Sequence, residues 1–430
     1  MQCLLISAIV YEARPLAAEP LNLAFMVDDF PVVSETFVTT LAEAVVARGH
    51  HLTVLARGFG GADHSALPAR EAALAGAVAR ARAEGRLSLR RMARLAADGP
   101  RHGPTLAALW ALDRIAGRET LAVTRLMADQ PRFDVVHAQF ATLGQAAQRH
   151  RDYGTLRTRS LIVHLRGYDV TSHVAEHGAD AYRRMFDKAE LFIANSAHFR
   201  QTAIDLGCPA DRCIVIGSPI DTDYFAPPAG GRSAPDGRPL RLVSVGRLVE
   251  KKGFDDLIEA VARLRATDLD VTLDIVGEGP LRPMLEAQID ALGLGASVTL
   301  LGAAPRDAVR AALHRADIGV AASKTAASGD QDAAVNTMKE MMATGLPIAA
   351  TRHGGIPELA RDGENARLAP EADPAALAHA IATLARDPSE WPRMGAAGRA
   401  AVIAEFDTRV VAEKTIDAYT RTLCKDGEPR

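Results

Sequence analysis

Long apolar runs are missing from this chain. In 430 residues none approaches the ~20 apolar positions that a membrane-crossing helix requires. An excess of one charge sign is missing too: 50 Lys and Arg against 53 Asp and Glu leave a net −3, which argues against a nucleic-acid partner. Cysteine is scarce. Cys3, Cys208, Cys213 and Cys424 are scattered in a way that fits neither a disulfide framework nor a zinc site, so a reducing cytoplasm is the default setting. Residues 1–20 are mildly apolar but carry no Lys or Arg ahead of their apolar part. They read as an extension or a mis-assigned start rather than a secretory leader.

What is present is enough apolar sequence, 48%, for two sizeable cores. Short apolar runs alternate with helical patterns. The expected strands are Leu21–Val27, Leu52–Leu55, Asp134–His137, Leu161–Leu165, Leu191–Ala194 and Cys213–Ile216. A second group is Leu240–Val245, Val271–Val276, Ser297–Leu301, Ile318–Ala321 and Pro347–Thr351. Helix periodicity follows most of them, as in Gly253–Thr267, Leu281–Leu292 and Ala308–Arg315. That alternation predicts an α/β protein with parallel sheets. The Pro- and Gly-rich stretch from Pro227 to Gly237 separates the two groups. The expectation is two doubly wound, Rossmann-like domains, over 21–226 and 238–405, facing across a cleft. A C-terminal helix over 406–430 could return to the first domain. Ligands in such folds bind at the carboxyl ends of the strands.

One region breaks the rhythm. From about 58 to 130 no strand is convincing. Between Arg80 and Arg101 seven arginines stand against Glu84 and Asp98, interleaved with Leu87, Leu89, Met92 and Leu95. A basic amphipathic helix of this kind can lie on an anionic membrane surface, and a solvated surface face explains it equally well.

The stretch VSVGRLVEKKGF, Val243 to Phe254, reads as a buried strand, a glycine turn and two cations ahead of a helix. Arg247 and Lys252, with amide groups of a nearby helix start, would form a socket for a diphosphate. Thr351 to Glu358, TRHGGIPE, follows a strand and precedes a helix. Gly354 and Gly355 there allow close backbone approach to a phosphate. Pro357 suits a first helical turn.

These pieces occur in a recognisable order. Val245–Leu248 with Lys252–Gly253, Ile275–Pro280, Ala316–Asp317, Met338–Pro347 and Thr351–Glu358 resemble the nucleotide-sugar-binding domain of retaining glycosyltransferases of family 4. That is the glycogen-synthase-like group with the GT-B fold, and the nearest likeness is to exopolysaccharide, colanic-acid-type transferases. In the first half, Phe30–Phe37, Arg48–His50, Asp134–His137 and Asp221–Phe225 are similar to the same group.

The resemblance implies roles. Two acidic residues eight apart fall on Asp332 and Glu340. The first would contact the donor sugar and the second the ribose hydroxyls, where a carboxylate suits two adjacent donors. Asp332 stands where the family has glutamate, one methylene shorter. Gly246, Gly277 and Gly279 fall in the donor-binding turns. Arg166 takes the place of a family histidine near the reacting sugar. An arginine cannot be a base at neutral pH, so its expected role is binding or electrostatic. His164, two residues earlier on the same strand face, His137 and Asp169 are further acceptor-side candidates. So are Ser34 and Glu35, with Ser34 equally suited to capping a helix.

The implied reaction moves a sugar from a nucleoside diphosphate sugar to a hydroxyl acceptor, lipid-linked or saccharide, with retention. No cofactor and no metal are expected, because the cation pair supplies the charge. Asp330–Asp332 does match an Asp-x-Asp pattern, but so do Asp221–Asp223 and Asp268–Asp270. The expected location is the cytoplasm, peripheral on the inner membrane face. Alternatives are a nucleotide-sugar epimerase of the same fold, or a non-catalytic nucleotide-sugar binder.

Overall fold

The computed structural model describes residues 7–11, 19–30, 35–58 and 132–424, except 153, 155, 233, 268, 333 and 334. The arginine-rich stretch Arg80–Arg101, Ser34 and most of residues 1–20 lie outside the described residues.

The first sheet gathers β1 (Ser7–Tyr11), β2 (Asn22–Asp29), β3 (His51–Gly58), β4 (Phe133–Ala138), β5 (Thr158–Leu165), β6 (Leu191–Ala194) and β7 (Cys213–Val215) in the order β1-β3-β2-β4-β5-β6-β7. Its helices are α1 (Thr36–Ala47), α2 (Ala141–Asp152), α3 (Gly167–Val170), α4 (Ser172–His177), α5 (Arg183–Lys188) and α6 (Ala197–Asp205). The second sheet takes β8 (Leu240–Val245), β9 (Val271–Val276), β10 (Val298–Gly302), β11 (Ile318–Ala321), β12 (Ile348–Thr351) and β13 (Ala366–Ala369) in the order β10-β9-β8-β11-β12-β13. With it run α7 (Phe254–Arg265), α8 (Arg282–Ala291), α9 (Arg306–Arg315), α10 (Asn336–Ala343), α11 (Ile356–Leu359), α12 (Pro374–Arg386) and α13 (Trp391–Phe406). The last helix, α14, spans Thr408–Leu423.

Among the described residues every pairing between these strands is parallel except one. Residues 7–11 form an edge strand antiparallel to β3, with Ser7 opposite Ala56 and Tyr11 opposite Leu52. The run SAIVY is apolar but short and does not by itself signal a strand; its pairing depends on the edge that β3 offers. β13, only four residues long, is likewise without a strong signal.

Each sheet is covered on both faces. The first buries one apolar cluster with α2 and α5 and another with α1 and α14. The second packs α7 and α12 on one face and α10 with Val402 of α13 on the other. Helix α14, last in sequence, therefore closes the first domain: Val411, Ala412, Ala418, Tyr419 and Leu423 join the core with Val38, Leu41 and Val45 of α1.

The chain passes between the domains twice, side by side. Ile220 pairs with Asp407: its N–H donates to Phe406 O at 2.7 Å, and Thr408 N–H donates to Ile220 O at 3.0 Å. The crossing thus lies upstream of the Pro227–Gly237 stretch. That stretch rests on the second domain, where Arg232 donates to Leu313 O and Ala316 O at the end of α9 and to Thr344 O after α10. Pro and Gly here serve to turn a bound segment rather than to release it. Tertiary packing also brings two scattered cysteines together. Cys208 and Cys213 are both buried free thiols, hydrogen-bonded to each other.

Candidate active site

The donor side is built on three strand ends. Gly246 follows β8, and its N–H donates to Val276 O at the end of β9. Gly277, at φ 150°, lies so close that a Cβ there would strike Gly246 O, and one on Gly279 would strike Leu248 backbone. These glycines are needed because two strand-end turns cross backbone to backbone. The crossing fixes the turn that carries Arg247. Arg247 itself is exposed, and no carboxylate pairs with it among the described residues.

Lys252 is different. Its Nζ lies 2.9 Å from Asp332, which is buried and also accepts from Ser323 Oγ at 2.7 Å. Burial pushes the Asp332 carboxyl up, but Lys252, Lys251 and the Ser323 hydroxyl outweigh it and leave the group below its ordinary value. The neighbouring Asp330 pairs with Lys251 at 2.8 Å. Asp332 N–H donates to His353 Nε2 at 3.0 Å, which puts the ring proton on Nδ1, facing Glu371. Gly354, at φ 50°, packs on Asp332 O where a Cβ would not fit. The N–H groups of Gly354 and Gly355 have no acceptor among the described residues. Asp332 thus joins the Lys252 turn to the glycine pair, and both halves of the expected socket stand together.

Glu340 belongs to the same place. Thr337, one turn earlier on α10, donates to Val245 O at 2.8 Å and pins the helix to the end of β8. The Glu340 carboxyl is half-buried and accepts no protein hydrogen bond among the described residues. Burial pushes it up to about 7, opposed only by Arg306.

The first-domain candidates divide. Arg166 is buried and its guanidinium is committed: Nε donates to Gln139 O at 2.9 Å, and the two terminal nitrogens to Gln139 Oε1 at 3.0 Å and Ser218 Oγ at 3.4 Å. It also lies 4.0 Å over the Phe37 ring. Burial lowers its pKa to about 10, so it stays charged at neutral pH. Asp169 accepts from Arg166 N–H at 2.9 Å and is pushed up to about 6 by burial, with the Arg166, Ala141 and Thr142 N–H groups pulling the other way.

His137 and His164 stack at 5.6 Å inside the domain. His137 Nδ1 meets the Tyr419 hydroxyl of α14 at 2.8 Å, and His164 Nε2 meets Asn195 Oδ1 at 2.5 Å. Desolvation drives both far below the ordinary imidazole value, His137 to about 3, so both are neutral interior groups. Glu35 stands at the start of α1, close enough for its charge to be felt by Arg166.

Three contributors escaped the sequence reading. Glu358 reaches across to the first domain, where its two carboxylate oxygens accept Ala197 and His198 N–H, each at 2.8 Å. Lys339 is fully buried, 4.0 Å over the Phe406 ring, and burial lowers its pKa to about 7. Tyr419 arrives from the far end of the chain. Only Glu358 had a signal, as the last residue of TRHGGIPE. Among the described residues no group of three His, Cys, Asp or Glu is arranged to hold a metal.

Comparison with known proteins agrees with this architecture. Residues 34–224 match the domain described as Glycosyltransferase Family 4, and residues 239–387 match Glycosyl transferases group 1. WcaL of Salmonella typhimurium, a glycosyltransferase named for colanic acid biosynthesis, is 31% identical over 373 residues, covering 85% of this chain and 91% of that one. AmsK of Erwinia amylovora, the amylovoran biosynthesis glycosyltransferase, is 32% identical, covering 67% of this chain and 70% of that one. The crystal structure of Anabaena HepE with UDP and glucose superposes with a TM-score of 0.70 at 19% identity, covering 93% and 99% of the two chains.

The two facing sheets with their helices define the GT-B architecture. The chain belongs to the glycosyltransferases that join these two domains, and it is therefore a transferase.

Proposed function

We propose that this chain moves a sugar from a nucleoside diphosphate sugar to a hydroxyl of a saccharide or lipid-linked saccharide acceptor in exopolysaccharide assembly, with retention at the anomeric carbon. The names of its relatives support the biosynthetic setting, and their matched domains are those of transferases rather than epimerases. The observation that carries the reading is Arg247, a cation without a carboxylate partner among the described residues, on the turn whose Gly246 lies against the Lys252 side chain, which pairs with Asp332 next to Gly354.

In this reading the bond from the anomeric carbon to the diphosphate breaks, and its electron pair stays on phosphate oxygen. The acceptor oxygen bonds to that carbon from the same face and yields its proton to the departing phosphate. Arg247, Lys252 and the amides of Gly354 and Gly355 stabilise the charge that develops. The diphosphate draws Lys252 away from Asp332, which then faces the donor sugar. Glu340 accepts from the ribose hydroxyls.

The proposed transfer is metal-independent, because Arg247 and Lys252 supply the charge that a divalent cation would bring to the diphosphate. Activity lost to a chelator and restored by magnesium or manganese would overturn this. The arginines of Arg80–Arg101 support, from sequence alone, a peripheral position on the inner membrane face. No helix among the described residues is long and apolar enough to cross a membrane.

A thermal-shift screen against UDP, GDP, ADP and their sugars tests the reading, since a ligand of the folded state raises its melting temperature. Arg247→Ala should weaken the responding nucleotide by roughly tenfold to a hundredfold. Because Arg247 is exposed and unpaired, the ligand-free melting temperature should not move. An unchanged nucleotide shift in Arg247→Ala would remove the socket.

A further inference from the structure

Beyond the donor site, one row of aromatic side chains runs from the core of the first domain out to its surface. Tyr168 is 47% exposed, more than any other large hydrophobic side chain among the described residues. It sits on α3, the short helix that leaves the carboxyl end of β5, where ligands of this architecture bind. Its ring lies 6.0 Å from His173 of α4 at an angle of 60°. His173 in turn stacks on His177 at 4.1 Å and on buried Tyr182 at 5.3 Å. The four rings form a ledge whose inner end is anchored in the domain and whose outer end is open.

The ledge stands at the rim of the cleft. Thr171, between Tyr168 and His173 in sequence, donates its hydroxyl proton to Gly167 O at 2.7 Å, and that hydroxyl lies 3.4 Å from Asp330 Oδ1 of the second domain. Asp330 holds Lys251, and two residues on, Asp332 holds Lys252. A molecule lying on Tyr168 would therefore border the donor pocket from the acceptor domain.

We propose that Tyr168, backed by His173, is a stacking platform for a pyranose ring of the acceptor, next to the hydroxyl that receives the sugar. The proposal rests on the transferase reading and names which surface of the first domain holds the acceptor. Three observations favour a sugar over other occupants. The rings have polar edges rather than aliphatic bodies, which suits a ligand with an apolar C–H face and hydroxyls around it. Carboxylates offset the basic groups beside the rings: Glu176 lies 3.9 Å from His177, and Asp180 lies 3.6 Å from Arg183. Burial and His177 hold the His173 imidazole below its ordinary pKa, with Glu176 opposing, so the ring that backs Tyr168 is neutral near pH 7 and a poor seat for a phosphate headgroup.

The test uses the full chain and free sugars. Saturation-transfer NMR with cellobiose, lactose, maltose and methyl α-mannoside should show transfer to C–H protons of at least one of them. Tyr168→Ala should weaken that sugar roughly three- to tenfold, while Tyr168→Trp retains it. The nucleotide thermal shift and the ligand-free melting temperature should be the same in all three proteins. Sugar binding unchanged in Tyr168→Ala overturns the platform, as does absence of any sugar signal from a protein that still binds nucleotide. A nucleotide shift that falls with Tyr168→Ala would assign the ring to the donor instead and overturn it too. If no nucleotide shifts the unaltered chain, the transferase reading fails and the platform falls with it.

Discussion

In the proposed reading, Glu340 is the side chain whose charge state most directly sets donor affinity. Its carboxyl is pushed up to about 7 by burial, and Arg306 only partly offsets this. The ionised form accepts two ribose hydroxyls, so bound nucleotide favours ionisation. Affinity for the responding nucleotide should therefore rise with pH through about 7, and Glu340→Gln should flatten that rise in a calorimetric titration. The same shift has a stability consequence. A carboxyl whose folded pKa lies above its unfolded value is progressively ionised at a cost as pH rises between the two. The ligand-free Glu340→Gln protein should thus gain melting temperature over the unaltered chain at about pH 8 and little at about pH 5. An equal gain at both pH values would show that burial does not act on this charge.

At the scale of elements, α6 and the TRHGGIPE turn hold the two domains against each other. Ser196 caps α6 by accepting Phe199 N–H, and the next free donors at the helix start, Ala197 and His198, go to Glu358. A carboxylate is well placed there, since the helix dipole adds to the two hydrogen bonds. His198 Nε2 also meets Gln331 Oε1 at 3.1 Å, so one face of α6 touches both loops of the donor site. Glu358→Ala should shift the closed-to-open ratio of the domains toward open by roughly three- to tenfold, the scale of a lost helix cap. Small-angle scattering of the ligand-free protein reads this as a larger radius of gyration. An unchanged profile would mean that Gln331 and Asp330 suffice to hold the cleft.

For the molecule as a whole, the first domain depends on the last helix. Removing residues 408–430 would uncover Phe25, Val54, Val135 and Ile162 of the first sheet along with α1, because α14 covers that face. Such a truncation should leave the first domain unfolded or aggregated, with early protease cleavage in it and a more resistant second domain. A milder change gives a graded check: Tyr419→Phe takes the partner from His137 Nδ1 and should cost about 1 kcal/mol in chemical denaturation. A truncated protein that melts like the full chain would show that the first domain stands without α14.

The positions of the central strands and the motifs that gather at the strand ends of the second domain were readable from sequence. Central parallel strands are buried on both faces and therefore appear as apolar runs, so β8, β9 and β11 fall where the runs do. The residues expected to bind the donor come from turns of a single domain, and the motifs that carry Gly246, Arg247, Lys252, Glu340 and the Gly354–Gly355 pair lie in one continuous half of the chain. Tertiary structure decided the rest. That Lys252 is held by Asp332, that Arg166 spends its donors on Gln139 and Ser218, and that His137 and His164 face inward all depend on which groups meet across distant segments. Burial and partner choice arise only when those segments pack, and a residue's type alone does not carry them. The edge strand of residues 7–11 was hidden for the same reason, and although the return of a C-terminal helix to the first domain was expected, which face α14 covers was not: each is settled by surface supplied from far along the chain.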